Sequence, residues 1–520
     1  MTMKSRAPKF ATVRPSGRIL PKTVPLKRDD FSVVGLGASA GGLEAFTKLF
    51  TALAPDTGMA FILIQHLDPK HESMMAPLLS RHTSMKVLQA TDGMRIKRDH
   101  VYVIPPGAYL SIQNGTLHLS VPRDGHGVRM PLDFFLCSLA EEYGARAVCA
   151  ILSGTGADGS AGVKAVKAKG GLVIVEEPEG AAFDGMPRNA IATGVADFIL
   201  PVEKIPGALK QYAKGPAFKG KGNGGGPSPS AEAKLPEIID LLRAKTSHEF
   251  ALYKPGTPLR RMERPMVMAG IQDIGRYTEV LREDSRELEH LAKDLLIHVT
   301  SFFRDTGAFE ALAATAIPEI LRQTTPGQPL RVWIPACSTG EETYSLVMLL
   351  LEEIAAAKRN IRLQVFASDV DEDAVALARN GWYPASIEAE VSPARLVRFF
   401  VKDDNGYRVA RELREAVIFS VHDILADAPF SRIDLVSCRN LLIYFLPDAQ
   451  DQVLSLFHFA LRPGGILFLG AAEKIGSAGA YFEPISESQS IYRHLGHSRP
   501  GHVGIPIAGG HSIDSPEPIY

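Results

Sequence analysis

A serine, a histidine and an aspartate each stand at the end of a short apolar run in the first half of this 520-residue chain. The stretches are Gly37-Ala-Ser39-Ala-Gly41, Gln65-His66 and Gly154-Thr-Gly-Ala-Asp158-Gly. A serine hydroxyl is a weak nucleophile until a neighbouring imidazole takes its proton, and that imidazole needs a carboxylate to fix its tautomer. Small residues around Ser39 permit a tight turn, and free N–H groups at a helix start could stabilise an oxyanion. Other readings stand beside this one. Gly35-x-Gly37-x-x-Ala40 also fits a dinucleotide fingerprint, which would want an acid at the tip of the second strand; His66 sits there, with Asp68 slightly beyond. Gly-x-Ser-x-Gly suggests an α/β-hydrolase, but that fold orders its triad Ser, Asp, His, and the order Ser39, His66, Asp158 excludes it. Taken singly, such a Ser or Asp is ordinary turn chemistry.

The second half carries a different set. Leu330-Arg-Val-Trp-Ile leads into Pro335-Ala-Cys-Ser-Thr-Gly340-Glu341-Glu342, and Leu363-Gln-Val-Phe-Ala-Ser ends at Asp369. A small-residue loop after one strand lets backbone approach a ligand, and an acid after the next accepts from ribose hydroxyls. One glycine and two glutamates suit a sulfonium better than phosphates, so S-adenosylmethionine fits better than NAD. A capped helix with acids in its first turn would have the same composition.

The elements that position these residues are read from periodicity. In the first half Phe31–Leu36, Met59–Gln65, Val148–Ser153 and Leu172–Glu176 are buried strands, and Gly41-Gly42 opens a helix with Leu43, Phe46, Leu49, Phe50 and Leu53 on one face. Strands alternating with helices give a parallel, doubly wound sheet, whose site lies at the carboxyl ends of its strands. In the second half, residues 235 to about 322 are mostly helical in pattern, for example over Tyr277–His298. Strands then return at 330, 363, 433 and 466, with a turn at Arg462-Pro-Gly-Gly and a closing strand at Ser490–Arg493. The fold class is α/β: two doubly wound domains, the second Rossmann-like and preceded by a small helical subdomain.

Lys214–Lys234 is rich in Gly, Pro and Ser and reads as a flexible linker. The expected division is a disordered basic tail over 1–29, a catalytic domain over 30–213, the linker 214–234, a helical subdomain 235–325, a cofactor domain 326–496 and a disordered tail 497–520. The tail's His497, His502 and His511 lack ligand spacing, and no metal is expected. A net charge of -1 argues against wholesale nucleic-acid binding. Four cysteines without C-x-x-C spacing argue against a disulfide framework or zinc site. There is no bilayer-spanning run and no secretory signal, and the expected compartment is the cytoplasm.

Gly37-Ala-Ser-Ala-Gly-Gly42, Gln65-His66, Val103-Ile-Pro-Pro-Gly107, Ser153-Gly-Thr-Gly-Ala-Asp-Gly159 and Met186-Pro-Arg-Asn-Ala resemble the catalytic domain of CheB-type chemotaxis receptor methylesterases. The resemblance implies that Ser39 is the nucleophile, His66 the base and Asp158 the orienting carboxylate, cleaving a γ-glutamyl methyl ester. Thr155 stands where that family usually has Met. The residues before Asp30 leave no room for the receiver domain that usually restrains such an esterase, so its control is expected to be different.

Val299-Thr-Ser-Phe-Phe-Arg-Asp305, Ala336-Cys-Ser-Thr-Gly-Glu-Glu342, Phe366-Ala-Ser-Asp369 and Cys438-Arg-Asn-Leu-Leu-Ile-Tyr-Phe445 resemble the CheR-type receptor methyltransferases. This implies an S-adenosylmethionine site lined by His298, Thr300, Arg304, Glu342, Asp369, Asp423, Ile424, Arg439 and Asn440, with Arg304 and Tyr444 near the transferring methyl. His298 and Asp423 stand where the family has Asn. The basic cluster Arg260, Arg261 and Arg264 is the implied receptor-docking surface, although Pro265 is expected to kink or end its helix. Residues 401–408 lack the glycine-containing loop of members that grip a receptor's C-terminal peptide, so no such tether is expected.

The resulting expectation is a bifunctional chemotaxis enzyme acting on cytoplasmic helices of methyl-accepting receptors, with its halves regulated against each other by docking across the hinge. The rivals are a non-catalytic scaffold retaining both folds and an NAD-dependent oxidoreductase.

Overall fold

The computed structural model describes residues 31–65, 74–121, 130–213, 229–246, 248–269, 271, 273–296, 298–403 and 406–496. The expected basic tail, all but the last residues of the linker, the C-terminal tail and His66 lie outside them.

In the first half, seven parallel strands lie in the order Phe198–Leu200, Leu172–Glu176, Ala147–Ile151, Val33–Ala38, Ala60–Gln65, His100–Val103 and Lys86–Gln89. The central strands are buried on both faces, which is why they read as continuous apolar runs. Alternate residues feed two cores: Val33 and Ile62 one, Val34 and Leu63 the other. The sequence reading missed a three-stranded antiparallel sheet of Met94–Arg95, Thr116–Ser120 and Tyr109–Gln113. Its hairpin signal was present: Asn114-Gly115, both at left-handed φ (52° and 69°), is flanked by alternating apolar residues.

The second half also has a seven-stranded sheet, ordered Val417–Val421, Leu363–Asp369, Leu330–Pro335, Ile433–Cys438, Leu461–Leu469, Ile491–His494 and Phe482–Ser486. The last two strands close it antiparallel. Arg462-Pro-Gly-Gly is not a turn ahead of a strand. It lies inside Leu461–Leu469, where a register irregularity opposite Ile433–Leu435 absorbs it. Trp382–Pro384, Phe400–Asp403 and Gly406–Val409 form a small separate sheet.

Three expectations about helices are corrected or refined. A helix begins at Pro229, inside the stretch read as linker, and runs to Thr246. Tyr277–His298 is two helices, Ile274–Glu283 and Ser285–Leu295, because the Asp284 carboxylate accepts the N–H groups of Arg286 and Glu287 and starts the second. Pro265 does not end its helix, which runs Gly256–Met268: the proline lies in the last turn, and Ala269 N–H still bonds its carbonyl. None of the helices described is long and apolar enough to cross a membrane.

The two halves meet where the Ile205–Ala213 helix of the first packs against the Gly256–Met268 helix of the second, and also at a lysine. Lys164, in the Ser160–Ala168 helix of the first half, donates to the Thr300 carbonyl (3.3 Å) and to Glu341 Oε1 (3.5 Å) of the second.

Candidate functional sites

Ser39 sits where the Val33–Ala38 strand turns into the Gly42–Ala52 helix. The turn is held from two sides: Ser39 N–H donates to the Ser153 carbonyl (3.1 Å), and Gln65 Nε2 donates to the Ser39 carbonyl (3.3 Å). Gly41 (φ 76°) is required here, since a Cβ would meet Ser153 Oγ at 2.7 Å. Ala38 is in register with Gln65, so the strands that lead to Ser39 and to His66 end level. The hollow at this point is lined by Ser39, Gly41, Gly42, Gln65, Thr47 and Lys48.

Asp158 is buried (4% exposed), and its carboxylate accepts the N–H groups of Leu132 and Asp133, both at 2.9 Å, at the start of the Pro131–Tyr143 helix. The sequence reading missed the partner of this arrangement. Asp133 accepts the Gly162 N–H (2.6 Å) at the start of the Ser160–Ala168 helix. Two helix N-termini thus face each other, each capped by an acid that belongs to the other's surroundings. Burial, with the Asp158 charge next, pushes the Asp133 carboxyl up to about 7. The Met186-Pro-Arg-Asn-Ala motif braces the loop before Asp158: Met186 N–H donates to the Gly154 carbonyl and Asn189 Nδ2 to the Gly156 carbonyl. Thr155 is exposed.

In the second half, His298, Thr300, Arg304, Glu342, Asp369, Asp423, Ile424, Arg439, Asn440 and Tyr444 all line one cleft at the carboxyl ends of the central strands. Asp369 is oriented by backbone, accepting Ser338 N–H (2.8 Å) and Asp371 N–H (3.0 Å). Glu342 accepts the Ser437 hydroxyl (2.7 Å), and burial pushes its carboxyl up against the opposing pull of Arg439. Arg439 is fully buried between the rings of Phe309 and Phe468 and donates to Asp305 Oδ2 (2.9 Å) and the Arg304 carbonyl (3.0 Å). It therefore holds the 304–305 loop, while Arg304 itself donates to the Val299 carbonyl. His298 Nε2 lies 2.7 Å from Asp371 Oδ2, off good hydrogen-bond geometry. Burial works to lower the His298 pKa, but Asp371 and Asp369 outweigh it and the net shift is upward.

Backbone strain concentrates here. Phe303, Asp305, Ala336, Ser338 and Asn440 all hold left-handed φ between 50° and 63°, and each such residue costs on the order of 1 kcal/mol. Glu473, which no motif announced, pins the last of these: its carboxylate accepts the N–H groups of Asn440 (2.9 Å) and Gly470 (2.7 Å). The Asn440 side-chain oxygen is buried and has no hydrogen-bond partner among the described residues. With Glu342, Asp369 and Asp423 it makes a wall of acceptors, which fits a cationic, hydroxyl- and amine-bearing ligand such as S-adenosylmethionine. Arg261 faces this region, donating to the Asp294 carbonyl (3.1 Å); the side chains of Arg260 and Arg264 lie outside the described set.

Comparison with known proteins matches the same two halves. The CheB methylesterase family model covers residues 34–209, the all-alpha domain of CheR methyltransferases 233–296, and the CheR S-adenosylmethionine-binding domain 298–491. The chain belongs to the CheB methylesterase and CheR methyltransferase families. The CheR half is 32% identical to the chemotaxis protein methyltransferase of Listeria monocytogenes, over 44% of this chain and 84% of that protein. A protein of Salmonella typhimurium with the same description is 32% identical over 48% and 85% respectively. A 104.1 kDa protein of the hypE 3′ region of Rhodobacter capsulatus is 39% identical over 82% of this chain, which spans only 46% of that relative's length. The CheB half is similar to the Thermotoga maritima CheB methylesterase catalytic domain, 33% identical over 98% of that chain, with a TM-score of 0.33.

Proposed function

We propose that this chain both writes and erases γ-glutamyl methyl esters on the cytoplasmic helices of methyl-accepting chemotaxis receptors. The observation that carries the reading is the convergence of all ten expected cofactor and methyl-transfer residues on one acceptor-rich cleft. S-adenosylmethionine, when bound, supplies a methyl on a positively charged sulfur. Glu342 balances that charge, and Asp369, aimed by Ser338, accepts from the ribose hydroxyls. A glutamate side chain with an ordinary pKa of about 4.3 is already ionised at neutral pH, so no general base is needed. Arg304 and Tyr444 then serve to align the attacking carboxylate.

In the other half, Ser39 attacks the ester carbonyl as His66 takes its proton and Asp158 holds the imidazole. Methanol leaves with that proton, and water, activated by His66 in turn, releases the glutamate. N–H groups at the start of the Gly42–Ala52 helix suit the oxyanion. Binding of S-adenosylmethionine, followed by calorimetry on the intact chain and on an Asp369→Ala, Arg304→Ala double variant, tests the first half of this reading. The intact chain is expected to bind and the variant to lose at least about 100-fold in affinity. No binding by the intact chain would overturn it, leaving Ser39→Ala to test the esterase.

A further inference from the structure

One wall of the cofactor cleft comes from the helical subdomain. His248 is 5% exposed, and its Nδ1 lies 2.6 Å from Asp423 Oδ2 and its Nε2 3.0 Å from Tyr253 Oη. With its proton on Nδ1, the imidazole donates to Asp423 and accepts from the Tyr253 hydroxyl. The ring of Phe250, edge-on at 4.7 Å, and that of Tyr253, at 5.6 Å, fix the imidazole plane. The other Asp423 oxygen accepts the Leu425 N–H (2.9 Å). Each carboxylate oxygen has spare lone-pair capacity beyond these bonds.

The order of strands says which part of a ligand Asp423 meets. Strand tips run from Arg439 and Asn440, past the loop before Glu342, to Asp369, and then to Asp423 after Val417–Val421. A nucleoside placed with its charged end at Glu342 and its ribose at Asp369 extends its base toward Asp423 and Ile424. An exocyclic amine on that base is a donor. An ionised carboxylate offers only acceptors, whereas a protonated one presents a donor of its own.

We infer that His248 is a positioning residue for base recognition: by bonding Asp423 it keeps that carboxylate ionised and turned so that it accepts from the amino group of adenine. The inference rests on the cleft's being an S-adenosylmethionine site. Burial by itself pushes the Asp423 carboxyl up, but the interactions of His248, led by its hydrogen bond, outweigh it and hold the group below the ordinary range. The neighbours that face Asp423 are His248, Tyr253 beyond it, His422 beside it in the chain, and Asp427, which accepts the Asp423 N–H. Tyr253 also feels Asp369. Without His248, burial dominates and Asp423 takes up a proton at a higher pH.

The test is calorimetric titration of the full chain with S-adenosylhomocysteine and with its inosine counterpart, which lacks the amine, at pH 5.5 and 8. The intact chain should prefer the adenine ligand at least about tenfold at both pH values. His248→Ala should lose most of that preference, more severely at pH 5.5. His248→Asn, whose amide can donate in place of Nδ1, should restore the preference. In an Asp423→Asn background, removing His248 should no longer introduce a pH dependence, which keeps the test open if His248→Ala alone folds poorly. An unchanged preference and pH profile in His248→Ala would overturn the role of His248. Failure of the intact chain to bind either ligand would overturn the cofactor reading itself.

Discussion

Asp133 illustrates what one residue type at one place does that no motif reveals. It is a helix-cap acid by position, yet it shares a buried site with Asp158, and its carboxyl is pushed up to about 7. A group whose folded-state pKa is raised binds its proton more tightly folded than unfolded. Its stabilising contribution is therefore full below the unfolded value of about 4 and is lost as pH rises toward 7. Asp133→Asn keeps an oxygen for the Gly162 N–H and never ionises. The variant should match the parent at pH 4 and exceed it at pH 8, by at most about 4 kcal/mol for a shift of this size. Thermal melting at the two pH values checks this, and a variant less stable at pH 8 would show that the charge, not the shape, is what the site needs. The residues that could be singled out in advance were those that the proposed nucleophile and nucleoside sites would demand: Ser39, Asp158, Glu342, Asp369. Those that escaped reading, His248, Asp133 and Glu473, act by holding other groups, and holding leaves no fixed spacing in the sequence.

At the scale of elements, legibility followed burial. Leu172–Glu176 and Leu330–Pro335 were readable because parallel strands covered on both faces are continuous apolar runs. Helix ends were less readable, and Ile274–Leu295 shows why. Leu281, Leu288, Leu291 and Leu295 keep helical spacing straight across the break, so periodicity alone joins two helices into one. The signal for the break is local: Asp284 followed three residues later by Glu287, a capping arrangement. Glu287 is also fixed from behind by the Tyr277 hydroxyl (2.8 Å), which ties the two helices together. Asp284→Ala should cost about 1 kcal/mol, the usual worth of an N-cap, and lower the melting temperature of the helical subdomain by a few degrees. An unchanged melt would mean that packing of Leu288 and Leu291, rather than the cap, sets the corner. Because His248 reaches the cofactor cleft from this subdomain, the same variant should weaken cofactor binding only if the corner transmits its distortion that far.

The whole molecule poses the problem of how one chain would carry the two opposed activities proposed for it, and Lys164 is one place where the two halves touch, beside the contact of the Ile205–Ala213 and Gly256–Met268 helices. Its side chain is 16% exposed and lies against Glu341, itself 6% exposed. Burial would lower the lysine pKa, but Glu341 and Glu390 outweigh it and raise it, so the cation is held by carboxylates of the other half. Removing one partner of such a buried pair costs about 3–5 kcal/mol if the halves stay together, more than a modest interface readily supplies. Lys164→Glu should therefore separate the halves, seen as a larger radius of gyration in small-angle scattering. The consequence for catalysis follows from the helix that carries the lysine. Ser160–Ala168 begins just after Asp158, and the Gly162 N–H in its first turn bonds Asp133. A pull on Lys164 thus reaches Asp158, the proposed orienting carboxylate, within about one helical turn. At its other end, Lys164 bonds the Thr300 carbonyl, in the wall of the cofactor cleft. If docking restrains hydrolysis so that the chain does not erase what it writes, Lys164→Glu and a chain cut within Gly224–Gly226 should hydrolyse a γ-glutamyl methyl ester peptide at the same rate, several-fold above the intact chain. Separation without any change in rate would reduce Lys164 to a structural tie. No separation and no change would remove the docking idea altogether, and the control of the esterase would then have to be sought outside this interface.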